Sequence, residues 1–529
     1  MRIALALLAI VCAGVCCAAD FYVDPVKGDP KGNGSKAAPW RMLEEVVESG
    51  QLREVKPGDT IHLRTGFHGR VVISGDNEET ITITAEAGHK PRLSYLEVPS
   101  GKKWHFRGLT VSASFGEPYG GVMVKFADSG DSAEITVEDC FVYSTLDTSS
   151  WTAEQWKKAN SGITMGRHGK GHVLRNNYVM NTRFGINLCA EESLCEGNVI
   201  SHFSGDGIRV TRDGQVVRHN VIRNIYVSAK DGDDNHDDAI QCFLFNKGTG
   251  TVRNVTINEN LVIMREDEQQ KWPANMQAIG FFDGPLINFH VEGNVINTSH
   301  WHGVSLYDAQ DCKILSNVAY TQWTAEKLRP WVELGSKGKG EIKGNEVKGN
   351  FAYSFKLAND KGVVADDNKP PTEDIYVQRR DKLLELINEK YGAKHPAAGF
   401  KRVGLEKPRW LRGSVVDGAI DEIESAKGQG KLIVIYGLSD EDDPRGAEFE
   451  RDVLDDEEVG KLLDECITVG VALDDSVDRD VRKRYGLGSR APQIVILNPD
   501  GSEAWGGKPG SARALIKKLE DALEKLETD

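Results

Sequence analysis

Gly162-Ile163-Thr164-Met165, Gly185-Ile186-Asn187-Leu188 and Gly207-Ile208-Arg209-Val210 lie 23 and 22 residues apart and share one pattern, a small residue followed by alternating apolar positions. The pattern returns at Ala239-Ile240-Gln241-Cys242, Ala278-Ile279-Gly280-Phe281 and Gly303-Val304-Ser305-Leu306. Each segment is followed by an Asn-apolar-apolar step, beginning at Asn177, Asn198, Asn220, Asn260, Asn294 and Asn317. Alternation with period two makes each segment a strand and points Ile163, Ile186, Ile208, Ile240, Ile279 and Val304 to one face. A coil of this length with no helical periodicity predicts an all-strand solenoid, a parallel β-helix whose like residues stack about 4.8 Å apart. The recurrent Asn suits a turn where the backbone turns left-handed and the side-chain amide bonds its counterpart one coil away.

The chain opens as a secretion signal. Arg2 precedes an apolar run from Ile3 to Val15, and Cys17-Ala18-Ala19 supplies a small-residue cleavage site before Asp20. Residues 1–19 are therefore set apart, and a secreted or periplasmic protein is expected. Lipidation of a Cys is disfavoured, because Val11, Val15 and Cys16 stand where a small residue should precede it. After Asp20 no run is long and apolar enough for a membrane span.

Nine Cys are present, three of them in the signal. Cys140, Cys189, Cys195, Cys242, Cys312 and Cys466 show no zinc-type pairing, and core thiols with at most one disulfide, Cys189 to Cys195, are expected. The net charge of −15 is unevenly shared, since residues 421–529 hold 27 acidic and 15 basic residues. The preceding chain is nearly neutral and free to offer local cations to an acidic ligand. With no basic stripe interleaved with aromatics, nucleic acid is not an expected partner.

Two steps of the repeat are long. The interval from Gly207 to Ala239 contains Lys230-Asp231-Gly232-Asp233-Asp234-Asn235-His236-Asp237-Asp238, and that from Ala239 to Ala278 contains Lys271-Trp272-Pro273. Solenoid insertions become loops on one face, often the binding face. The mature start, Phe21-Tyr22-Val23-Asp24-Pro25 through Gly32-Asn33-Gly34 and Ala38-Pro39-Trp40 to a helix at 41–49, then Pro57-Gly58-Asp59-Thr60-Ile61-His62-Leu63, resembles secreted right-handed parallel β-helix proteins of the pectin-lyase-like superfamily. The resemblance implies a mainly β fold over residues 20–357, with the helix capping the open end of the stack.

Beyond Asn359 the repeat stops. Pro370-Pro371-Thr372 precedes a helix through Leu383, Leu384 and Ile387, and residues 358–414 read as a helical linker. The order of elements in 415–529, with Ala491-Pro492 before a strand and Pro499-Asp500-Gly501 as a turn, resembles a small α/β thioredoxin-like domain. That family's CxxC belongs near 439–446, where this chain reads Ser-Asp-Glu-Asp-Asp-Pro-Arg-Gly. Without thiols there is no redox chemistry at that position, and an adaptor or stabilising module with a protein partner is expected.

Aligning the coils on their small residue puts Asp206 one coil below Asp238, Arg209 one below Gln241 and Arg183 two below Asp237. His300 and His302 stand two coils above the acidic loop, and Phe243, Phe282 and Tyr307 form an exposed aromatic column. Such rings stack on the apolar faces of sugars; they equally suit packing beneath the insertion at Lys271-Trp272-Pro273. The Asp-rich loop admits a hard-cation site, with calcium on Asp206, Asp237 and Asp238, or acid–base catalysis, or simple solvation.

The superfamily resemblance implies a uronic-acid polysaccharide as partner and ranks a lyase first. β-Elimination needs the substrate carboxylate neutralised, a proton abstracted and the leaving oxygen protonated. Arg183, Arg209 or calcium can do the first, His236 or Lys230 the second, and His300 or His302 the third, with Gln241, Phe243, Phe282 and Tyr307 binding substrate; the two arginines equally suit salt bridges to the Asp206, Asp237 and Asp238 carboxylates. Asp-Asn-His-Asp at 234–237 resembles the Asp-Pro-His-Asp of alginate epimerases, so C5 epimerisation stays open. Gly205-Asp206-Gly207-Ile208 and Asp237-Asp238-Ala239-Ile240 resemble the acidic coils of polygalacturonases, whose Gly-His-Gly and Arg-Ile-Lys motifs are not matched. A non-catalytic glycan-binding scaffold is the third reading.

Overall fold

In the computed structural model the alternating segments are neighbouring strands of one parallel sheet. Described residues are 18–116, 121–146, 148, 150–227, 237–242, 251–266, 270, 272–323, 328–358, 362–391, 423, 426–438, 453–454, 456–463, 465–472, 479–487, 493–509 and 511–528. Ser161–Met165, Ile186–Leu188, Ile208–Val210, Asp238–Cys242, Gln277–Phe281 and His302–Tyr307 follow one another in sequence order, continued by Trp331–Gly335 and Ser354–Leu357. Two further long parallel sheets share the same coil order, so the chain winds as a parallel β-helix of three faces.

The register is the one the repeat predicts. Ile163, Ile186, Ile208, Ile240, Ile279, Val304 and Val332 pair in turn, and each is fully buried at 0% exposure. The small residue has a steric cause. A Cβ at Gly185 would meet the Gly207 carbonyl oxygen and the Ile200 side chain at 2.5 Å, and at Gly207 the Ala239 oxygen at 2.6 Å. Side chains there would force successive coils apart.

The Asn residues form a continuous buried ladder. Side-chain Nδ2 donates to the next Oδ1 from Asn177 to Asn198 (2.9 Å), onward to Asn220, Asn260, Asn294, Asn317 and Asn350, and finally to Asn368 (3.0 Å). Each Oδ1 also accepts the backbone N–H of the preceding Asn, so buried amides are satisfied coil by coil. The left-handed position is displaced by one from expectation. It falls on the residue before each Asn, namely Asn176, Gly197, His219, Glu259, Gly293, Ser316, Gly349 and Asp367. The turn happens there, and the Asn itself faces inward.

At the N-terminal end the helix Leu43–Glu48 buries Leu43 and Val46 over the first coil. At the other end the ladder outruns 357: Asn345 to Lys348 pair with Val363 to Asp366. The helix read as part of a linker, Glu373–Tyr391, buries Tyr376, Leu383 and Ile387. It lies on the solenoid, with Tyr376 stacked on Tyr320 at 5.0 Å and the Tyr391 hydroxyl 2.9 Å from His219 Nδ1. Its apolar stripe needed a surface, and the third sheet supplies one.

A second unit begins after Ala397. Its sheet runs Ile467–Ala472, Ile433–Leu438, Gln493–Leu497, Glu503–Gly507, the first pair parallel and the others antiparallel. Pro492 and residues 439–446 lie outside the described residues. Cys140, Cys189, Cys195, Cys312 and Cys466 are free and buried, so Cys189 and Cys195 do not pair. No helix among the described residues is long and apolar enough to cross a membrane.

Candidate active site

Asp206 and Asp238 precede consecutive inward isoleucines, at one edge of the sheet that carries the repeat. The Gly207 N–H donates to the Asp238 carbonyl at 2.8 Å, which locks the two aspartates into one column. Both are buried, Asp206 at 0% and Asp238 at 1% exposure, and each has a carboxyl Oδ1 with no hydrogen-bond partner among the described residues. A buried carboxyl oxygen without a partner is costly to desolvate. Gly205 makes room beneath: a Cβ there would lie 2.5 Å from the Phe184 ring. On that ring rests Arg209, its guanidinium carbon 3.8 Å from the centroid, with Nε donating to Asp206 Oδ2.

Environment separates the two acids. Burial pushes the Asp206 carboxyl up, but Arg209, the Gln241 side chain and the Asp238 backbone pull it back, leaving it raised. Asp238 is pushed well above the ordinary aspartate range, first by burial and then by the negative charges of Asp206 and Asp237, with only Arg209 opposing. Two neighbouring carboxyls cannot both ionise cheaply, and the upward displacement is the larger at Asp238.

Gly280 joins this pair to the aromatic column. A Cβ at 280 would lie 2.6 Å from Phe282 Cε2 and 3.1 Å from Asp238 Oδ1, so the absent side chain lets ring and carboxyl close on the same space. Phe282 meets Tyr307 edge-on at 5.2 Å and His302 at 4.9 Å. His302 Nδ1 is 2.8 Å from Ser305 Oγ and 3.5 Å from Glu333 Oε2. Burial and the Glu333 carboxylate raise the Tyr307 phenol. His300 stacks on His302 at 5.4 Å, and Trp301, 47% exposed, lies parallel to Trp331 at 5.8 Å.

The solenoid therefore brings Asp206, Asp238, Arg209, Gln241, Phe282, Tyr307 and His302 to one sheet and its edge. Asp237 is buried beside them, its backbone oxygen accepting from Gln277 N–H at 2.9 Å. Arg183 donates to the Lys157 carbonyl, and its guanidinium lies 5.1 Å over the same Phe184 ring that carries Arg209. In the long insertion, the Trp272 indole N–H donates to the Trp151 carbonyl at 3.1 Å. Lys230, His236 and Phe243 lie outside the described residues. Among the described residues no group of three His, Cys, Asp or Glu is disposed to hold a metal ion, and Asp231, Asp233 and Asp234 of the acidic loop lie outside them.

Glu333 was missed by sequence reading. Trp331-Val332-Glu333-Leu334 alternates like the other segments, but Gly303 aligns with no small residue there because the pairing slips between His302 and Val304. The alternation of Val332 and Leu334 was the available signal.

No protein-family model matches the chain, and neither does any curated protein. Among solved structures, a lacto-N-biosidase from Eubacterium ramulus is 13% identical over 67% of this chain and 68% of its own, with a TM-score of 0.39. A pectate lyase is 15% identical over 63% and 80%, TM-score 0.28. The mannuronan C-5 epimerase module from Azotobacter vinelandii is 13% identical over 62% and 90%, TM-score 0.34. These values carry no argument about activity. The parallel β-helix rests on the strand register itself.

Proposed function

We propose that this chain is a secreted glycan-active enzyme that cleaves a glycosidic bond by hydrolysis, with Asp238 as general acid and Asp206 as its basic partner. The observation that carries this is the register of two buried carboxyls whose surroundings set their proton affinities apart. Such a pair divides the labour of acid and base. Asp238, held protonated, gives its proton to the glycosidic oxygen. Water attacks the anomeric carbon as that bond breaks, and Asp206, opposite the Arg209 cation, takes the proton the water gives up. Phe282 and Tyr307 offer ring surface to the sugar.

This reverses the order of preference that the sequence suggested. β-Elimination is the second reading, and the cluster of His302, Tyr307 and Glu333 favours it by supplying proton-transfer groups beside the aromatic column. C5 epimerisation would draw on the same groups, and calcium on Asp206, Asp237 and Asp238 has no step in the hydrolytic reading. We read the C-terminal unit as thioredoxin-like in its sheet order and as a module for a protein partner. Its Cys466 thiol, pushed up to about 12 by burial, suits no redox role.

Incubation with alginate, pectate and glycosaminoglycans, with and without chelator, tests the proposal. New reducing ends without ultraviolet absorbance are expected, with turnover falling about a hundredfold or more in Asp238→Asn and Asp206→Asn. Unsaturated, absorbing products would establish the lyase instead. Binding without turnover would leave the scaffold.

A further inference from the structure

The segment after Glu333 carries a cation to the aromatic column. Lys337 is exposed, and its Nζ stands 5.7 Å from the ring centroids of both Phe282 and Tyr307. No carboxylate among the described residues pairs with it. Its neighbour Lys339 is different, lying 3.9 Å from Asp283.

The backbone beneath Lys337 is fixed by one buried carboxylate. Asp308, at 0% exposure, follows Tyr307 directly and has a left-handed backbone with φ of 51°. Its carboxylate accepts the Lys337 N–H at 3.1 and 3.2 Å, the Gly338 N–H at 3.2 Å and the Ser336 hydroxyl at 3.0 Å. The Asp308 N–H in turn donates to the Gly335 carbonyl at 2.9 Å. Gly335 also admits the Tyr307 ring, since a Cβ there would lie 2.5 Å from it. The loop, the ring and the lysine are thus one assembly, built on adjacent coils and abutting the Asp238 carboxyl through Phe282 and Gly280.

We propose that Lys337 is the specificity-determining residue of this site, reading an anionic substituent on the sugar that lies against Phe282 and Tyr307, and that Asp308 is its positioning residue. The inference rests on the glycan-active reading and deepens it. An ammonium without a carboxylate partner gains a charge-assisted bond only from a ligand that brings the anion. The rings supply contact that a neutral sugar would make equally well. A cation held above them therefore discriminates by charge, and not by ring shape.

The test is binding, read by tryptophan fluorescence, so that it stands apart from turnover. Probes are a galacturonate oligosaccharide, its carboxyl-reduced form and a sulfated chondroitin oligosaccharide of equal length. The full-length protein should prefer an acidic probe over the reduced one, with the preference weakening as salt rises. Lys337→Met should lower that preference about tenfold, Lys337→Arg should retain most of it, and Lys339→Met should leave it unchanged. Asp308→Asn should lower it with near-unchanged far-ultraviolet circular dichroism. Whichever acidic probe loses more in Lys337→Met identifies carboxylate or sulfate. An equal preference in wild type and Lys337→Met, or no preference in wild type, overturns the proposal. Failure of glycosidic cleavage with charge-dependent binding intact would overturn only the catalytic reading.

Discussion

Asp206 and Asp238 occupy the same column of consecutive coils, tied by the Gly207 N–H to the Asp238 carbonyl at 2.8 Å. Thirty-two positions of chain separate them, yet the coil makes them neighbours, and burial, reinforced by the charges of Asp206 and Asp237, favours the protonated form of Asp238.

That proton gives a stability signature. Asp238 is raised in the folded state, so its protonated form stabilises the fold at low pH, and that contribution is lost as pH rises through its folded value. Asp238→Asn cannot ionise. Relative to wild type it should gain in melting temperature as pH is taken from acidic to alkaline, and thermal melts across pH check the sign. A gap independent of pH would show that Asp238 titrates normally.

Arg209 is the partner that lets Asp206 ionise inside the protein. Removing one member of a buried pair leaves an uncompensated charge, so Arg209→Met should cost about 3–5 kcal/mol near neutral pH. The cost should shrink in acid, where Asp206 takes up a proton. Urea unfolding at two pH values measures both.

Gly280→Ala places a methyl group where Phe282 and Asp238 converge. Gly280 is not in the left-handed region, so the backbone tolerates Ala and the penalty falls on the ring and the carboxyl. Turnover should fall about tenfold or more while the melting temperature shifts by only a few degrees. Steady-state kinetics and a thermal melt separate the two effects.

The ladder is tested at its middle. Asn260→Ala strips the acceptor from Asn220 N–H and Nδ2 and the donor from the Val217 carbonyl. Unsatisfied buried groups of this kind should cost about 2–4 kcal/mol in denaturant unfolding. Asn368→Ala, at the partly buried end of the ladder, should cost less.

The aspartate column was legible in advance because side-chain alternation and the small residue that opens each segment are local properties, and both return across the long step from Gly207 to Ala239. Once Ile208 and Ile240 face the core, the positions of Asp206 and Asp238 follow. Glu333 was not legible, since the coil that holds it lacks the small residue and slips in register by one position. A salt bridge from Arg209 to one of these carboxylates was among the sequence's alternatives and is present, whereas the hydrogen bond of Arg183 to the Lys157 carbonyl was hidden. Alternation says that both arginines leave the core, and only the surroundings say what each meets. The extension of the ladder to Asp366 was missed for another reason: its final strand, Val363–Asp366, is largely exposed and shows no apolar alternation.

By itself, then, the sequence determined the solenoid, its register and its Asn ladder, because each coil repeats the same short-range pattern and stacking copies that pattern upward. Tertiary structure alone decided which carboxyl is raised further, which arginine meets Asp206 and which lysine is carried over the rings. Those outcomes depend on burial and on partners brought from distant coils, and neither is encoded in spacing along the chain.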